Sequence, residues 1–452
     1  MTVRDLVVVG GGPAGVGTAY QLRHSGLDVV VLEAAAEVGG RTRSVTLPGG
    51  AANTGALFVY RGTPSEALAE ELGLSAVPFR PRTYGIAMEG CTSVGSNPES
   101  VVEGLPLSAN DAEMLLRTLN DAVAEYHANT SGGKLSEESD ALAAQTVAER
   151  LRELPEQARR IVETAVRGGS VGRTEDLSAQ FALRYFASYV ALEKESRLLL
   201  VDGMQALSTG MVARLPAGAV QLSTRVLSVD QGANGVWTVT AEGPGGRQTY
   251  SSRQVALTVP APLVTSLARD LPAVKEEALA AAATPGSTTM IVAADVAGLE
   301  EYREWAFVTT VGAHFDCIIN SAPGPQDFRV QRAGEEVVHF VCYGNSAGYR
   351  PDLASDLSPD TPARQDWVED FLAVAPALRG RIRAVHFQAW EHCFAVLSPV
   401  RATVLEELRR PVDGLHFAGD WTSTTAGTHG ALAEAQRVAD AVLDRAMGAA
   451  AR

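Results

Sequence analysis

Asp5-Leu6-Val7-Val8-Val9-Gly10-Gly11-Gly12-Pro13-Ala14-Gly15 stands near the start of the chain, and its reading decides the fold. The run 5–9 is apolar and short enough for a buried strand, and the glycines follow it without a spacer. Gly10 permits a tight turn, Gly12 removes the Cβ that would hold backbone away from a phosphate, and Gly15 lets the next helix lie close on the strand. That helix is predicted over 13–25 and opens on Pro13 and Ala14, so its free N–H groups and positive dipole end point at the phosphates. Gly26 stops it. Residues 28–32 then predict a second parallel strand running into Glu33 and Ala34. Glu33 lies 18 residues beyond Gly15, where a carboxylate accepts hydrogen bonds from ribose hydroxyls. Strand, glycine turn, helix, strand and acid in that order predict an α/β, Rossmann-like unit that holds a dinucleotide.

Gly39-Gly40-Arg41 follows directly. Two glycines allow a second close approach to the pyrophosphate, and Arg41 adds a charge that the helix dipole does not supply. Glu33-(x5)-Gly39-Gly40-Arg41 resembles the extended FAD signature of the flavin amine oxidase superfamily, which includes monoamine, polyamine and L-amino-acid oxidases, protoporphyrinogen oxidase and the phytoene-type desaturases. A second match lies at the far end. Leu415-His416-Phe417-Ala418-Gly419-Asp420 reads as a strand ending in a carboxylate, and Gly427-Thr428-His429-Gly430-Ala431-Leu432 opens a last helix to about 447, as in the superfamily's C-terminal signature. The resemblance implies FAD as cofactor, with Asp420 accepting from the ribityl chain and the helix start facing the pyrimidine side of the flavin, where negative charge gathers on reduction.

Between these ends the resemblance implies an FAD-binding domain interleaved with an α+β substrate-binding domain. The FAD domain is expected at 1–75, 197–270 and 398–452, and the substrate domain at 76–196, mainly helical, and 271–397. Asn53-Thr54-Gly55-Ala56-Leu57-Phe58, after a strand at Ser44–Leu47 and a turn at Pro48-Gly49-Gly50, resembles the loop whose Gly-Ala backbone lies beside the isoalloxazine. Val226 matches the valine whose main chain meets the adenine, and Trp390 a family tryptophan. From the residues alone, a capping box at Ser108-x-x-Asp111 begins a helix, others are predicted at 142–154, 155–167, 177–190, 273–282 and 362–375, and residues 130–136 read as an exposed loop. Strands are predicted at Thr83–Met88, 289–294, 307–311 and 337–342, and 225–229 pairs with 236–240 across Asn234-Gly235.

At 452 residues the chain is too long for one core. Its net charge of −15 disfavours nucleic acid and anionic membranes as partners, since both need clustered cations. Only Lys134, Lys194 and Lys275 among the 38 Lys and Arg are lysines. The strand at the start predicts no signal peptide, no apolar run is long enough for a membrane span, and a cytoplasmic location follows. Cys91, Cys317, Cys342 and Cys393 are scattered and the histidines dispersed, so no metal site is expected. With no second strand-bound GxGxxG for NAD(P)H, molecular oxygen is the expected acceptor; a small molecule is the expected substrate, and a homodimer is compatible with the reading.

The chain departs from the amine oxidase pattern in two places. Superfamily members commonly carry a lysine on a substrate-domain strand, bonded through water to flavin N5; here Met290 or a neighbour stands there. One of the two aromatic positions that frame the substrate nitrogen is Thr428, leaving Phe394 to offer a ring. Cys393, three residues after Trp390, lacks the spacing of the cysteine that carries covalent flavin in monoamine oxidases, so noncovalent FAD is expected. Trp390, Glu391, His392, Phe394, Thr428, His429 and Tyr343 are the candidates near the cavity, and none is assigned as acid or base. The reading is hydride removal from a C–H bond α to an amine, with desaturation of C–C bonds as its rival and a noncatalytic FAD-binding redox sensor as a third class.

Overall fold

A computed structural model describes residues 2–130, 143–194, 196–321, 331–332, 335–345, 348–353 and 361–450. Val220–Gln221, Val29–Leu32, Val3–Val9, the second half of Gly246–Leu257 and Leu415–Phe417 lie parallel in that order. The first half of Gly246–Leu257 continues into an antiparallel meander with Trp237–Gly243 and Arg225–Gln231. Leu6, Val7 and Val8 are wholly buried because layers cover both faces of the sheet. The helix Pro13–Gln21 is shorter than predicted, ending before Gly26, and Ala14 to Tyr20 are all buried. One side of it packs with Val8, Val31 and Val438, and the other with Leu207 and Met211. An element enclosed on two sides gains nothing from a polar face.

A second sheet is ordered Ile382–Trp390, Ser287–Asp295, Glu335–Asn345, Cys317–Asn320, Trp305–Val311, Thr83–Met88 and Cys91–Gly95. Its pairs are antiparallel except Trp305–Val311 with Thr83–Met88. One face carries Met290, Cys342 and Phe387 into a core with Trp367 and Phe371, where the helix Pro362–Val374 packs. The other carries Ile291, Val341, Cys317 and Phe307 against the helices Glu156–Gly169 and Ala179–Val190. Ser108 caps the helix Ala109–Thr130 by accepting from the N–H of Asp111 at 3.1 Å, as its capping box predicts. Of the helix expected at 142–154, Val147–Arg150 is found; residue 142, and the expected loop beyond Thr130, lie outside the described residues. Among the described residues no helix is long and apolar enough to cross a membrane.

The two sheets meet at the hairpin of Ser44–Leu47 and Gly50–Asn53, where His339 on the second sheet lies 2.8 Å from the carbonyl of Pro48. In the first sheet, the register pairs Val9 with Leu32 and Leu257, and Leu257 with Phe417, so four strands end level. Gly10, Glu33, Thr258 and the Ala418-Gly419-Asp420 turn therefore open on one crevice, the place where open parallel sheets bind ligands.

Candidate cofactor and active site

Gly10 sits at φ +110°, a conformation that glycine adopts without strain. A Cβ on Gly15 would stand 2.0 Å from the carbonyl oxygen of Gly10, whereas one on Gly12 would meet nothing within 4 Å. Gly15 is thus needed by the protein's own packing, and Gly12 leaves an open cradle before the N-terminus of Pro13–Gln21. No side chain caps that terminus. An anion fits such a place, because free N–H groups and the dipole both favour it. Gly40 closes the cradle, with its Cβ direction 3.4 Å from the Cα of Gly12.

Glu33 accepts from the N–H of Gly11 at 2.5 Å through one oxygen and from the N–H of Ala35 at 2.6 Å through the other. The carboxylate therefore ties the glycine turn to the end of the second strand, a task the spacing did not reveal, and its remaining lone pairs are open to a ribose. Ala34 beside it is exposed. The N–H of Thr224 donates to the carbonyl of Glu33 at 2.7 Å, which brings Val226 to the same end of the crevice.

Arg41 works in three directions. Its carbonyl accepts from Ala56 at 2.9 Å; its guanidinium donates to the carbonyl of Cys393 at 2.8 Å and to Asp420 at 3.0 and 3.4 Å. Asp420, 3% exposed, also accepts from the N–H of Ala395 at 2.9 Å. The charge expected from Arg41 is thus balanced by the carboxylate expected to meet the ribityl chain, and the two signatures, 379 residues apart, form one site. Arginines the sequence did not point out hold the backbone on both sides of Asp420. Arg409 donates to Thr422 at 2.8 Å, Arg437 to Phe417 at 2.6 Å, and buried Arg401 to Ser423; Glu434 takes both Arg409 and Arg437. Burial brings the Arg401 guanidinium down to about 10.

Beyond Arg41 lies the Thr54–Ala56 loop, followed by buried Leu57 and by Phe58, whose ring meets Phe79 at 4.8 Å. Across from it Gly427, at φ +83°, opens the last helix, Gly427–Ala450. Phe394 stands 3.5 Å from the Cβ direction of Gly427, and the His429 ring meets Tyr60 at 5.3 Å. Burial lowers the His429 pKa, so the ring is neutral near pH 7. Thr428, Ala431 and Leu432 are buried, and a Cβ on Gly430 would strike the carbonyl of Thr425 at 2.0 Å. Glu391 is exposed, and half-buried His392 places Nδ1 3.4 Å from the carbonyl of Thr284. Burial pushes the Cys393 thiol up to about 11, which keeps it protonated and a poor nucleophile.

Met290 is not on this side of its strand. It is wholly buried between Cys342 and Phe387 in the core behind the sheet, and Thr289 is the residue that shares a row with Tyr343 and Gln388 on the crevice side. The period of two in a strand makes a one-residue offset a change of face. A separate cavity of about 510 Å³, lined by Arg160, Arg167, His314, Asp316, Arg350 and Trp367 among others, includes none of the cradle residues.

The family model for flavin containing amine oxidoreductases matches residues 13–443. Putrescine oxidase of Kocuria rosea is 30% identical over 293 residues, 60% of this chain and 59% of that protein. Pseudooxynicotine dehydrogenase of a Pseudomonas species is 27% identical over 274 residues, 57% of this chain and 51% of that one. The alignments thus span little more than half the length of these relatives. Among solved structures, cyclohexylamine oxidase from Brevibacterium oxydans IH-35A superposes with a TM-score of 0.75 at 17% identity, covering 99% of this chain and 100% of that one. Putrescine oxidase bound to putrescine gives 0.72 at 18%, covering 98% and 100%. These likenesses show the fold, and the family match completes the assignment: the chain belongs to the flavin-containing amine oxidoreductases, with FAD as its cofactor.

Proposed function

We propose that this protein oxidises a small amine at the carbon α to nitrogen, giving an imine, with molecular oxygen taking the electrons afterwards. The observation that carries the reading is the Arg41–Asp420 pair beside Gly55, which continues the dinucleotide cradle into a crevice bordered by Phe394, Tyr60 and neutral His429. Bound FAD supplies the hydride acceptor, and the chain supplies position, shape and exclusion of water. Gly12, Glu33 and Val226 hold the adenosine and pyrophosphate end, and Arg41, Gly55, Ala56, Trp390, Asp420 and the 427–432 helix start hold the other. A partly buried crevice whose imidazole is neutral disfavours an unpaired ammonium, so the amine is expected to arrive uncharged, with its lone pair free. Putrescine oxidase and a probable monoamine oxidase of Dictyostelium discoideum, 26% identical over 279 residues, support the amine class.

A C–C desaturation remains the second reading, favoured by Thr428 in place of an aromatic ring and by a 111-residue match, 34% identical, to hydroxyneurosporene desaturase of Rhodobacter capsulatus. Anaerobic bleaching of the flavin by a panel of amines, amino acids and conjugated hydrocarbons separates the two. Amine-dependent bleaching, then hydrogen peroxide on admitting air, is the expected result; bleaching by a hydrocarbon alone transfers the assignment to desaturation.

A further inference from the structure

We propose that Tyr343 and Trp390, both from the second sheet, are positioning residues that clamp the Thr54–Ala56 loop against the flavin end of bound FAD. The Tyr343 hydroxyl donates to the carbonyl of Gly55 at 2.6 Å, and the Trp390 indole N–H donates to the carbonyl of Thr54 at 2.8 Å. The loop's N–H groups are taken from the other side. Thr54 donates to the carbonyl of Arg43 at 3.0 Å and Ala56 to that of Arg41 at 2.9 Å. A Cβ on Gly55 would stand 2.2 Å from the Arg41 carbonyl, so the loop is pressed onto Arg41 as closely as a backbone allows.

The clamp is a closed circuit. Trp390 ends the strand Ile382–Trp390; three residues later the carbonyl of Cys393 accepts from the Arg41 guanidinium, whose own carbonyl holds Ala56. Tyr343 and Trp390 lie on the two strands that flank Ser287–Asp295, in adjacent crevice-side rows: Tyr343 pairs with Thr289, and Trp390 with Ser287. Two rigid strands thus fix two successive carbonyls of one loop.

The loop borders the half of the crevice where the redox ring of bound FAD would lie. Glu33 marks the adenosine end and Gly12 the pyrophosphate, so an extended dinucleotide continues past Arg41 toward Gly55, Phe394 and Gly427. The inference rests on FAD binding and not on the substrate class. A loop fixed only by the first sheet would leave the flavin indifferent to the second; this clamp makes the second sheet set the flavin's surroundings.

The test compares Tyr343→Phe, Trp390→Phe and the double variant with Tyr84→Phe. Tyr84 lies on the same sheet with a buried hydroxyl that has no partner among the described residues, so its variant makes the same chemical change away from the loop. Apoproteins are titrated with FAD, and the visible circular dichroism of the bound flavin is recorded. Expected are a five- to tenfold rise in the FAD dissociation constant and an altered visible spectrum for each clamp variant, with no change for Tyr84→Phe. In the double variant the loss is less than the product of the two, because both hydroxyl and indole hold one loop. Unchanged affinity and spectrum in Tyr343→Phe and Trp390→Phe, or equal changes in Tyr84→Phe, overturn the proposal. If Tyr343→Phe fails to fold, Trp390→Phe carries the same test. A wild-type apoprotein that takes up no FAD overturns the cofactor assignment instead.

Discussion

Thr289 and Met290 are neighbours in sequence and opposites in space, and the difference decides what a lysine would do at each. Met290→Lys places an ammonium among Phe387, Cys342 and Trp367, where desolvation outweighs anything an apolar wall returns. Its expected outcome is a protein that expresses poorly or melts well below wild type. Thr289 is 1% exposed, and its hydroxyl has no partner among the described residues, on the crevice side of the sheet. A lysine there approaches the cofactor, and a cation several ångströms from a developing anion is worth a few kcal/mol at an effective dielectric of about 20. Stopped-flow oxidation of reduced enzyme by oxygen is therefore expected to quicken at least about tenfold in Thr289→Lys. A Met290→Lys protein of normal stability with faster reoxidation would reverse the assignment of faces. Glu33→Ala has a double effect at the other end, removing a ribose acceptor and freeing Gly11 and Ala35. Charge-assisted bonds of about 1.5–3 kcal/mol imply an FAD dissociation constant raised roughly 10- to 150-fold. Normal FAD affinity with lost turnover would place Glu33 elsewhere in the mechanism.

At the scale of elements, the glycines of the first turn separate what the fold needs from what the ligand needs. Gly15→Ala collides with the Gly10 carbonyl and is expected to push the helix Pro13–Gln21 off its strand, destabilising the apoprotein. Gly12→Ala meets no protein atom, at an ordinary φ of −76°, so the apoprotein should melt within about 2 °C of wild type while FAD affinity falls at least about tenfold. Differential scanning of the two apoproteins with FAD titration checks both; a Gly12→Ala protein that binds FAD normally would mean that the cradle is not where the pyrophosphate lies. The same stretch was legible because sterics dictate it locally. The capping box at Ser108, the Asn234-Gly235 hairpin and the acid after Phe417 were legible for the same reason, each being a short-range rule. Ile382–Trp390 was not read as a strand: it is an edge strand in which His386 and Gln388 do alternate with Val385 and Phe387, but the register slips at Arg383, between Ile382 and Ala384, which cuts the alternating run short. Nor did the sequence announce that Tyr343 and Trp390 reach one loop. That contact depends on two strands flanking a third, a pairing no local pattern encodes.

For the whole molecule, the buried histidines make stability depend on pH in a direction that can be worked out. His416 is 3% exposed on the strand Leu415–Phe417, with Nε2 2.9 Å from the Gln254 side-chain oxygen, and burial, helped by Arg437 and Arg445, depresses its pKa from 6.5 to about 4. His339, His386 and His429 are shifted the same way, chiefly by burial. Between the folded and unfolded pKa values the unfolded chain takes up a proton that the folded chain refuses. Stability from His416 is therefore complete above about pH 6.5 and is lost progressively down to about pH 4, in all about 3 kcal/mol. At pH 5 the loss from this one residue amounts to about 2 kcal/mol. Urea unfolding of the holoenzyme at pH 7.5 and pH 5, followed by tryptophan fluorescence, should show a midpoint that falls with acidity. His416→Asn keeps a donor facing Gln254 but removes the titration, so its midpoint should fall less between the two pH values, even if it starts lower. The Leu415–Phe417 strand leads into Asp420, which pairs with Arg41, so acid that charges His416 is expected to loosen that pair and release the cofactor from the polypeptide. Flavin that stays attached after acid precipitation would show a covalent bond, and equal pH dependence in His416→Asn would show that groups other than His416 set the acid limit.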